Sequence, residues 1–180
     1  CTDAAPGYYA TTGSTEQTPC SPGTVAPVTA MGACDKCAAG TFQRDEGQTA
    51  CKPCERGSYC KAGAAAALPC PGGTHSNATN LTSADECTAT IRGFYAPTGS
   101  TKQTPCSPGT VAPNDKTAAC HQCAAGKFQN ETGQQACRPC TPGYHCAKGS
   151  SAPLPCQQGT YSDATNLSSA DECTATIRGF

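Results

Sequence analysis

The chain has little from which to build an ordinary hydrophobic core. Its 180 residues include no tryptophan, and leucine, isoleucine, valine and methionine together number only ten. Burial of apolar surface contributes roughly 25 cal/mol per Å², whereas ordering each residue costs roughly 1.5 kcal/mol. Ten aliphatic side chains cannot offset that cost along the whole chain. A stable fold therefore requires covalent or metal cross-links.

An excess of charge and a long apolar run are also missing. The net charge is −1, from 12 basic and 13 acidic residues, so no basic surface favours a nucleic-acid partner. No apolar run approaches the roughly 18 residues of a transmembrane helix. No secretory signal pattern lies at Cys1. We therefore expect no nucleic-acid partner and no membrane span in this segment, which we interpret as the interior of a longer secreted chain.

Cysteine, by contrast, is abundant, with 17 residues in the chain. This density is typical of small secreted domains that are stabilised by disulfides. The number is odd, and we expect the partner of Cys1 to lie outside the segment. The other sixteen cysteines are therefore available to form bridges within it.

The cysteines recur with a period of 86 residues, without a shift anywhere in the chain. We therefore predict a first repeat at residues 1–86, a second at 87–172 and the start of a third at 173–180. Residues 169–180 repeat 83–94 letter for letter. A catalytic site is usually built once per fold, whereas a tandem array builds length or a repeated surface. This pattern favours a structural or binding array over an enzyme.

A shorter motif, Cys-x-x-Gly-x followed by a ring or valine, lies inside each repeat, as in Cys37-Ala-Ala-Gly40-Thr-Phe42. The glycine suits a tight-turn position where φ is positive. The next two residues favour a short strand whose ring can cover a disulfide. No segment sustains helical periodicity. The predicted fold is small, disulfide-rich and mostly irregular, with short β-hairpins, negligible helix and an elongated tandem-repeat shape.

The spacing suggests that neighbouring cysteines pair sequentially. Connectivity cannot be deduced from sequence, and a crossed arrangement among Cys54, Cys60, Cys70 and Cys87 is the main rival. The sequential scheme pairs Cys20 with Cys34, Cys37 with Cys51, Cys54 with Cys60, Cys70 with Cys87, Cys106 with Cys120, Cys123 with Cys137, Cys140 with Cys146, and Cys156 with Cys173.

A zinc site is the sharpest alternative use of the cysteines. Cys34 and Cys37, followed by Cys51 and Cys54, have the spacing of a four-cysteine zinc ribbon. The other cysteines of each copy are not followed by a second Cys-x-x-Cys pair. The chain also carries Asn-x-Ser/Thr triplets, described below, which are signals for glycosylation and imply an oxidising compartment. We favour disulfides and expect no metal and no cofactor.

The same residues resemble ephrin-receptor-like cysteine-rich repeats. The resemblance lies in Cys-x-x-Cys-x-x-Gly-Thr-Phe and a later Gly-Gln-x-Ala-Cys-x-x-Cys at residues 34–54, and in the corresponding stretch at 120–140. Long arrays of this kind are similar to those of protist and algal surface proteins, including the mastigoneme proteins of flagellar hairs. The resemblance implies an extracellular filament or coat on a secreted or cell-surface protein, and the likeness to mastigoneme proteins implies a flagellar surface.

Four acceptor triplets for N-linked glycans occur, at Asn77, Asn80, Asn130 and Asn166. Asn80 and Asn166 occupy the same place in successive copies, within a long polar loop. Glycans repeated along an array would hydrate it and limit lateral aggregation. We expect glycans at Asn80 and Asn166 before Asn130 and Asn77.

Catalytic and calcium sites find little support. His75, His121 and His145 have Tyr161, Asp35 and Tyr59 as counterparts in the other copy, so a required general base is not expected. The pairs Asp85-Glu86 and Asp171-Glu172 do recur. Two adjacent acids fall short of the six or more oxygens that calcium prefers, and we interpret them as solvated turns.

The aromatic side chains allow two interpretations. Tyr8, Tyr9, Phe94 and Tyr95 could cover disulfides within their own modules or form an adhesive seam along one side of the array. We predict an assembly seam at these four residues. The expected partners are further copies of the chain or related repeat proteins, together with N-linked glycans.

These features predict an extracellular structural or assembly segment of a filament or coat, without enzymatic activity. The alternative is a spacer or ligand-binding ectodomain of a cell-surface receptor. The two copies are identical at more than half of their aligned positions. A fibre reuses one contact along its length, whereas a receptor surface generally needs different modules at different heights, so the similarity favours the first function.

Overall fold

Short antiparallel hairpins and disulfides make up the computed structural model, which describes residues 1–175. No α-helix occurs within these residues. The only helical elements described there are two 3₁₀ turns, Ala84–Glu86 and Ala170–Glu172. The predicted class, a disulfide-rich fold of short β-hairpins with negligible helix, is confirmed.

The chain divides into two compact units. The first comprises residues 1–71, 75–88 and 98–102, and the second comprises 72–74, 89–97 and the chain from 103 onward. In the first unit each odd-numbered strand pairs with the next. Its strands are β1 Tyr8–Tyr9, β2 Thr18–Pro19, β3 Thr24–Val25, β4 Asp35–Lys36, β5 Thr41–Phe42, β6 Lys52–Pro53, β7 Ser58–Tyr59 and β8 Leu68–Pro69.

The second unit repeats this arrangement, again with consecutive antiparallel pairs. Strands β9 Thr74–His75 and β10 Thr88–Ala89 are each divided, with one residue in the first unit and one in the second. The remaining strands are β11 Phe94–Tyr95, β12 Thr104–Pro105, β13 Thr110–Val111, β14 His121–Gln122, β15 Lys127–Phe128, β16 Arg138–Pro139, β17 Tyr144–His145, β18 Leu154–Pro155, β19 Thr160–Tyr161 and β20 Thr174–Ala175.

A glycine turn begins each hairpin, as Gly23 does before β3. Its φ is +84°, a conformation that costs a glycine little because it has no Cβ. The backbone N–H and the hydroxyl of Thr24 both donate to the carbonyl of Ser21, at 3.0 and 2.7 Å. The turn expected from the Cys-x-x-Gly motif is therefore confirmed, and it directs the next residues into a strand.

Half-cystines supply most of the buried apolar surface. In the first unit one cluster comprises Phe42 with Cys54 and Cys60, and Ala64 and Ala67 pack against it. A second cluster joins Leu81 to Cys70 and Cys87, and Tyr59 packs against it. Rings thus lie beside bridges, as expected from the motif. The core consists of small local clusters because the chain has too few aliphatic residues for a continuous one.

The third repeat predicted at 173–180 lies mostly outside the described residues, because residues 176–180 are not described. The repeat boundaries at 86/87 and 172/173 follow from the period of the sequence and stay predictions.

Candidate functional site

Eight disulfides connect the cysteines within the described residues, and they are the eight of the sequential scheme. Cys54 joins Cys60, and Cys70 joins Cys87, so the crossed arrangement does not occur. The others are Cys20–Cys34, Cys37–Cys51, Cys106–Cys120, Cys123–Cys137, Cys140–Cys146 and Cys156–Cys173. Cys1 is exposed, and its thiol is free.

The zinc alternative is not compatible with this connectivity. Cys34 and Cys37 belong to different bridges, and so do Cys51 and Cys54. A zinc ligand must be a free thiolate, so these four sulfurs cannot form the zinc ribbon that their spacing allows. Within residues 1–175 no cluster of three or more histidine, cysteine or acidic side chains is arranged to hold a metal ion.

We call a glycine turn together with its hairpin a module. Three backbone hydrogen bonds connect the Gly23 turn to the module that follows. The N–H of Gly23 donates to the carbonyl of Gln43 at 2.7 Å, and the N–H of Ala26 donates to Gln48 at 3.0 Å. The N–H of Gly47 returns to the carbonyl of Cys20 at 2.9 Å. We call this set the ladder step. Because it uses only main-chain atoms, it depends on backbone path rather than on side-chain identity.

The ladder step recurs along both units. In the second copy Gly109, Ala112 and Gly133 make the same three bonds, to Gln129, Gln134 and Cys106. The corresponding bonds also form at Gly7, Gly40, Gly57, Gly73, Gly93, Gly126 and Gly143. One backbone geometry therefore joins modules that have quite different side chains.

Close packing accompanies the ladder at Gly23 and Gly109 and requires glycine at both positions. A Cβ on Gly23 would lie 2.3 Å from the carbonyl oxygen of Gly63, and a Cβ on Gly109 would lie 2.3 Å from that of Gly149. Real Cβ atoms do not approach backbone oxygens so closely. The recurring glycine of the motif thus serves the packing between modules as well as the turn.

The hairpins β1–β2 and β11–β12 have no bridge of their own, and in β11–β12 polar side chains occupy both positions where cysteines stand elsewhere. Thr90 lies three residues before Gly93 and is buried, and its hydroxyl accepts a bond of 2.9 Å from the N–H of Thr117. Gln103 takes the second cysteine position and accepts from Ile91 N–H at 3.1 Å. The Gln103 bond thus spans the hairpin where a disulfide does elsewhere, whereas the Thr90 bond joins it to Thr117, beyond strand β13.

The four predicted seam residues lie on these two bridge-free hairpins and are half-buried. The ring of Tyr8 lies over Gly47, and that of Phe94 lies over Gly133. These rings therefore pack within their own units. The large hydrophobic side chains that are most exposed in the described residues are different ones, among them Val28, Ile91, Leu154 and Tyr161.

Two buried glutamines are structural residues that sequence reasoning missed. Gln43 and Gln129 are each 1% exposed. The amide of Gln43 donates to the carbonyl of Ala50 at 2.7 Å and accepts from Asp45 N–H at 3.0 Å, and Gln129 repeats these contacts. Their recurrence at the same place in both copies is the only sequence signal that could have identified them.

All four candidate glycosylation asparagines are exposed. Asn80 and Asn166 have φ of +60° and +63°, at the ladder position that glycine fills in other modules. Their N–H groups donate to the carbonyls of Cys54 and Cys140, each at 2.9 Å. Both asparagines thus carry an exposed side chain on a hydrogen-bonded backbone.

The recurring acid pairs hold a local turn. The Glu86 carboxylate accepts from the hydroxyl of Thr82 and from its N–H, the latter at 3.1 Å. These two bonds, the hydroxyl first, lower the pKa of Glu86 from its ordinary value. Ser168 does the same for the pKa of Glu172. Glu86 and Glu172 therefore cap the loop, and each accepts hydrogen bonds from a hydroxyl and an N–H of the chain itself.

The three histidines stand apart from one another. His75 and His121 lie on strands β9 and β14. His145 lies on β17, and its Nδ1 is buried without a hydrogen-bond partner. The three rings therefore lie on three different hairpins, β9–β10, β13–β14 and β17–β18.

Comparison with known protein families identifies one stretch of the chain. Residues 23–67 match the model of the family described as tyrosine-protein kinase ephrin type A/B receptor-like. This stretch is similar to an ephrin-receptor-like cysteine-rich module. It contains residues 34–54, where the sequence resemblance was placed. The comparison with curated proteins gave no match.

The family match and the eight disulfides together point to an extracellular or cell-surface protein built from non-catalytic modules. Modules of this kind suggest protein–protein interaction. Within residues 1–175 no helix has the length and the apolar character needed to cross a bilayer.

Proposed function

We propose that this chain is a glycosylated structural segment of an extracellular filament or surface coat. The supporting observation is the ladder step, which repeats with the same three main-chain bonds from module to module. An array built on such a step can be lengthened by adding copies, because each new module needs only the same backbone path. We propose that the copies continue into an elongated rod.

Self-association, or association with related repeat proteins, would turn such rods into a filament. We propose that the bridge-free hairpins contribute the contact, through Tyr8 and Tyr9 in the first copy and Phe94 and Tyr95 in the second. Half-buried rings keep part of their surface available for a partner while the rest packs within the unit. A flagellar or comparable cell-surface appendage, as in mastigoneme proteins, is the setting that we favour.

N-linked glycans at Asn80 and Asn166 would hydrate the array at regular intervals, with Asn130 and Asn77 as further positions. The exposure of all four side chains supports this role. Glycans at equivalent places in successive copies would leave the remaining surface to form the assembly contacts.

A receptor-type ectodomain is the second candidate, and the match at residues 23–67 favours it. In that function the same modules would space or present a recognition surface. The two functions differ in whether isolated molecules associate with one another.

Electron microscopy of the native material tests this choice. We expect regular filaments whose axial repeat corresponds to one or two 86-residue units. Isolated molecules without lateral or axial association would contradict the filament and support the receptor spacer. Replacing Phe94 and Tyr95 by serine should reduce assembly while all eight bridges still form. The exposed Ile91, changed to serine, is the matched control. Unchanged assembly of the double variant would reject the seam.

A further inference from the structure

We infer that Asn80 and Asn166 accept their glycans only before the neighbouring disulfide closes, whereas Asn130 remains open to modification in the folded chain. This inference rests on the proposed glycosylation and adds an order of events to it. It follows from the different ways in which the three acceptor triplets are held.

The backbone of the first triplet, Asn80-Leu81-Thr82, is fixed by its neighbours. Asn80 N–H donates to the carbonyl of Cys54 at 2.9 Å, and the carbonyl of Leu81 accepts from Cys60 N–H at 2.8 Å. Leu81 is only 7% exposed and packs against the Cys70–Cys87 bridge. The middle of the triplet is therefore part of the local core.

The hydroxyl of the triplet is engaged as well. Thr82 Oγ1 and N–H both donate to the Glu86 carboxylate. Glu86 ends the 3₁₀ turn Ala84–Glu86, which leads directly into Cys87. Closure of the Cys70–Cys87 bridge thus places both the buried leucine and the carboxylate against the triplet.

The second copy holds its triplet in the same way. Asn166 N–H donates to Cys140 at 2.9 Å, and Leu167 is 6% exposed. Ser168 donates through its hydroxyl and its N–H to Glu172, one residue before Cys173. Two triplets, 86 residues apart, are therefore protected by one arrangement.

N-glycosylation requires access to the triplet. The bond from the sugar's anomeric carbon to a polyisoprenyl pyrophosphate breaks, and a bond from that carbon to the asparagine Nδ2 forms. The amide nitrogen loses one proton, which the leaving polyisoprenyl pyrophosphate takes up. The transferase must bind the triplet as an accessible segment and recognise its hydroxyl. A triplet whose backbone and hydroxyl are both bonded within the fold becomes available only by local unfolding.

The Asn130-Glu131-Thr132 triplet differs from the other two in the exposure of its middle residue. All three of its residues are exposed, and its middle residue, Glu131, pairs with Arg138 at 3.0 Å on the surface. Glu131 N–H donates to Oε1 of the buried Gln129 at 3.1 Å, but none of the triplet's own side chains is buried. Asn130 is therefore a control within the same molecule.

The experiment compares the oxidised and the reduced, alkylated forms of the unglycosylated 180-residue chain. Each is incubated with a purified oligosaccharyltransferase and a polyisoprenyl-pyrophosphate oligosaccharide, and glycopeptides are quantified by mass spectrometry. We expect the reduced chain to be modified at Asn80, Asn130 and Asn166. In the oxidised chain we expect Asn130 to react and Asn80 and Asn166 to react at least about tenfold more slowly, because they need local opening.

A double variant, Cys70→Ser with Cys87→Ser, tests the role of the bridge itself. In the oxidised variant we expect fast modification at Asn80 and continued protection at Asn166, whose bridge is intact. Equal rates at Asn80 in the oxidised and reduced wild-type chains would overturn the inference while leaving the glycosylation proposal in place. No modification of any asparagine in the reduced chain would remove the glycosylation proposal, and this inference with it.

Discussion

At the scale of single residues, glycine has two separate functions in this chain. Gly13 and Gly109 both have φ of +83°. A Cβ on Gly109 would meet the carbonyl oxygen of Gly149, whereas a Cβ on Gly13 would have no atom within 4 Å. The backbone conformation and the close packing can therefore be separated by substituting the two positions independently.

Replacing Gly109 by alanine should destabilise the second unit more than the same change at Gly13 destabilises the first. In both variants the left-handed backbone conformation of the new alanine costs about 1–2 kcal/mol. Only Gly109→Ala must also displace a backbone carbonyl. Hydrogen exchange at the amides of the Gly109 ladder step measures the difference. Equal loss of protection in the two variants would show that the close approach contributes nothing.

At the same scale, the Glu86 carboxylate should make the stability of its loop depend on pH. Its pKa is lowered in the folded chain by Thr82, so its stabilising effect is complete above the ordinary glutamate value of about 4.3. That effect is lost as the pH falls through the lower, folded-state pKa. We expect the Thr82 amide resonance to titrate with a midpoint below that of a free glutamate.

The variant Glu86→Gln is the control for this titration, because its side chain carries no titrating charge. Its Thr82 resonance should lack the transition, and the Ser168 resonance of the second copy should keep its own. A wild-type midpoint at or above the ordinary glutamate value would contradict the carboxylate cap.

At the scale of elements, the hairpins are alike in backbone path and differ in how they are closed. Cys20–Cys34 closes one hairpin across 14 residues, whereas Cys54–Cys60 spans only 6 and lies within the Gly57 turn. The hairpin β11–β12 is closed without a bridge, by the hydrogen bond from Ile91 N–H to Gln103 Oε1. The ladder step is common to all three. The disulfide therefore stabilises the module, and the main chain determines how the modules join.

The double variant Thr90→Cys with Gln103→Cys should form a ninth bridge, since these positions correspond to Cys20 and Cys34. A loop of this length is stabilised by about 3 kcal/mol in the chain-entropy model. Thiol counting under denaturing, non-reducing conditions would detect the bridge, and hydrogen exchange would show greater protection of β11–β12. Two additional free thiols in the folded variant would show that the hairpin is not equivalent to its bridged relatives.

At the scale of the whole molecule, the described chain lacks a continuous apolar core. Its buried apolar residues are mainly half-cystines and alanines, with a few valines and leucines and the ring of Phe42, and some of them form small clusters. Without the bridges, neither unit has enough buried aliphatic surface to offset the loss of chain entropy. Stability should therefore follow the redox state rather than the availability of metal.

Reduction of the native chain should abolish hydrogen-exchange protection throughout residues 1–175, while a chelator such as EDTA should leave it unchanged. Removing a disulfide from a small secreted domain typically costs about 2–5 kcal/mol, and here eight are lost together. Loss of protection on chelation, with all bridges intact, would reveal a structural metal and contradict this account.

Local chemistry made much of this arrangement predictable from the sequence. The 86-residue period predicted a repeated chain, Cys-x-x-Gly predicted the turns, and the short spacing between cysteines suggested which neighbours pair. These features depend on residues that are close in the chain. The predicted seam and the glycans are surface properties and stay proposals.

Contacts between modules could not be predicted from the pattern. Gly23 faces Gly63, 40 residues further along, and the ladder bonds join main-chain atoms that carry no sequence signature. The burial of Gln43 and the replacement of a bridge by the Gln103 bond likewise depend on which backbone groups lie opposite.

The sequence alone therefore determined the class of the fold, because seventeen cysteines and ten aliphatic residues leave disulfides as the main stabilising element of the chain. Only the tertiary structure decided how one module meets the next. The reason is physical: that contact consists of hydrogen bonds and close approaches between backbone atoms, which are the same for nearly every residue type.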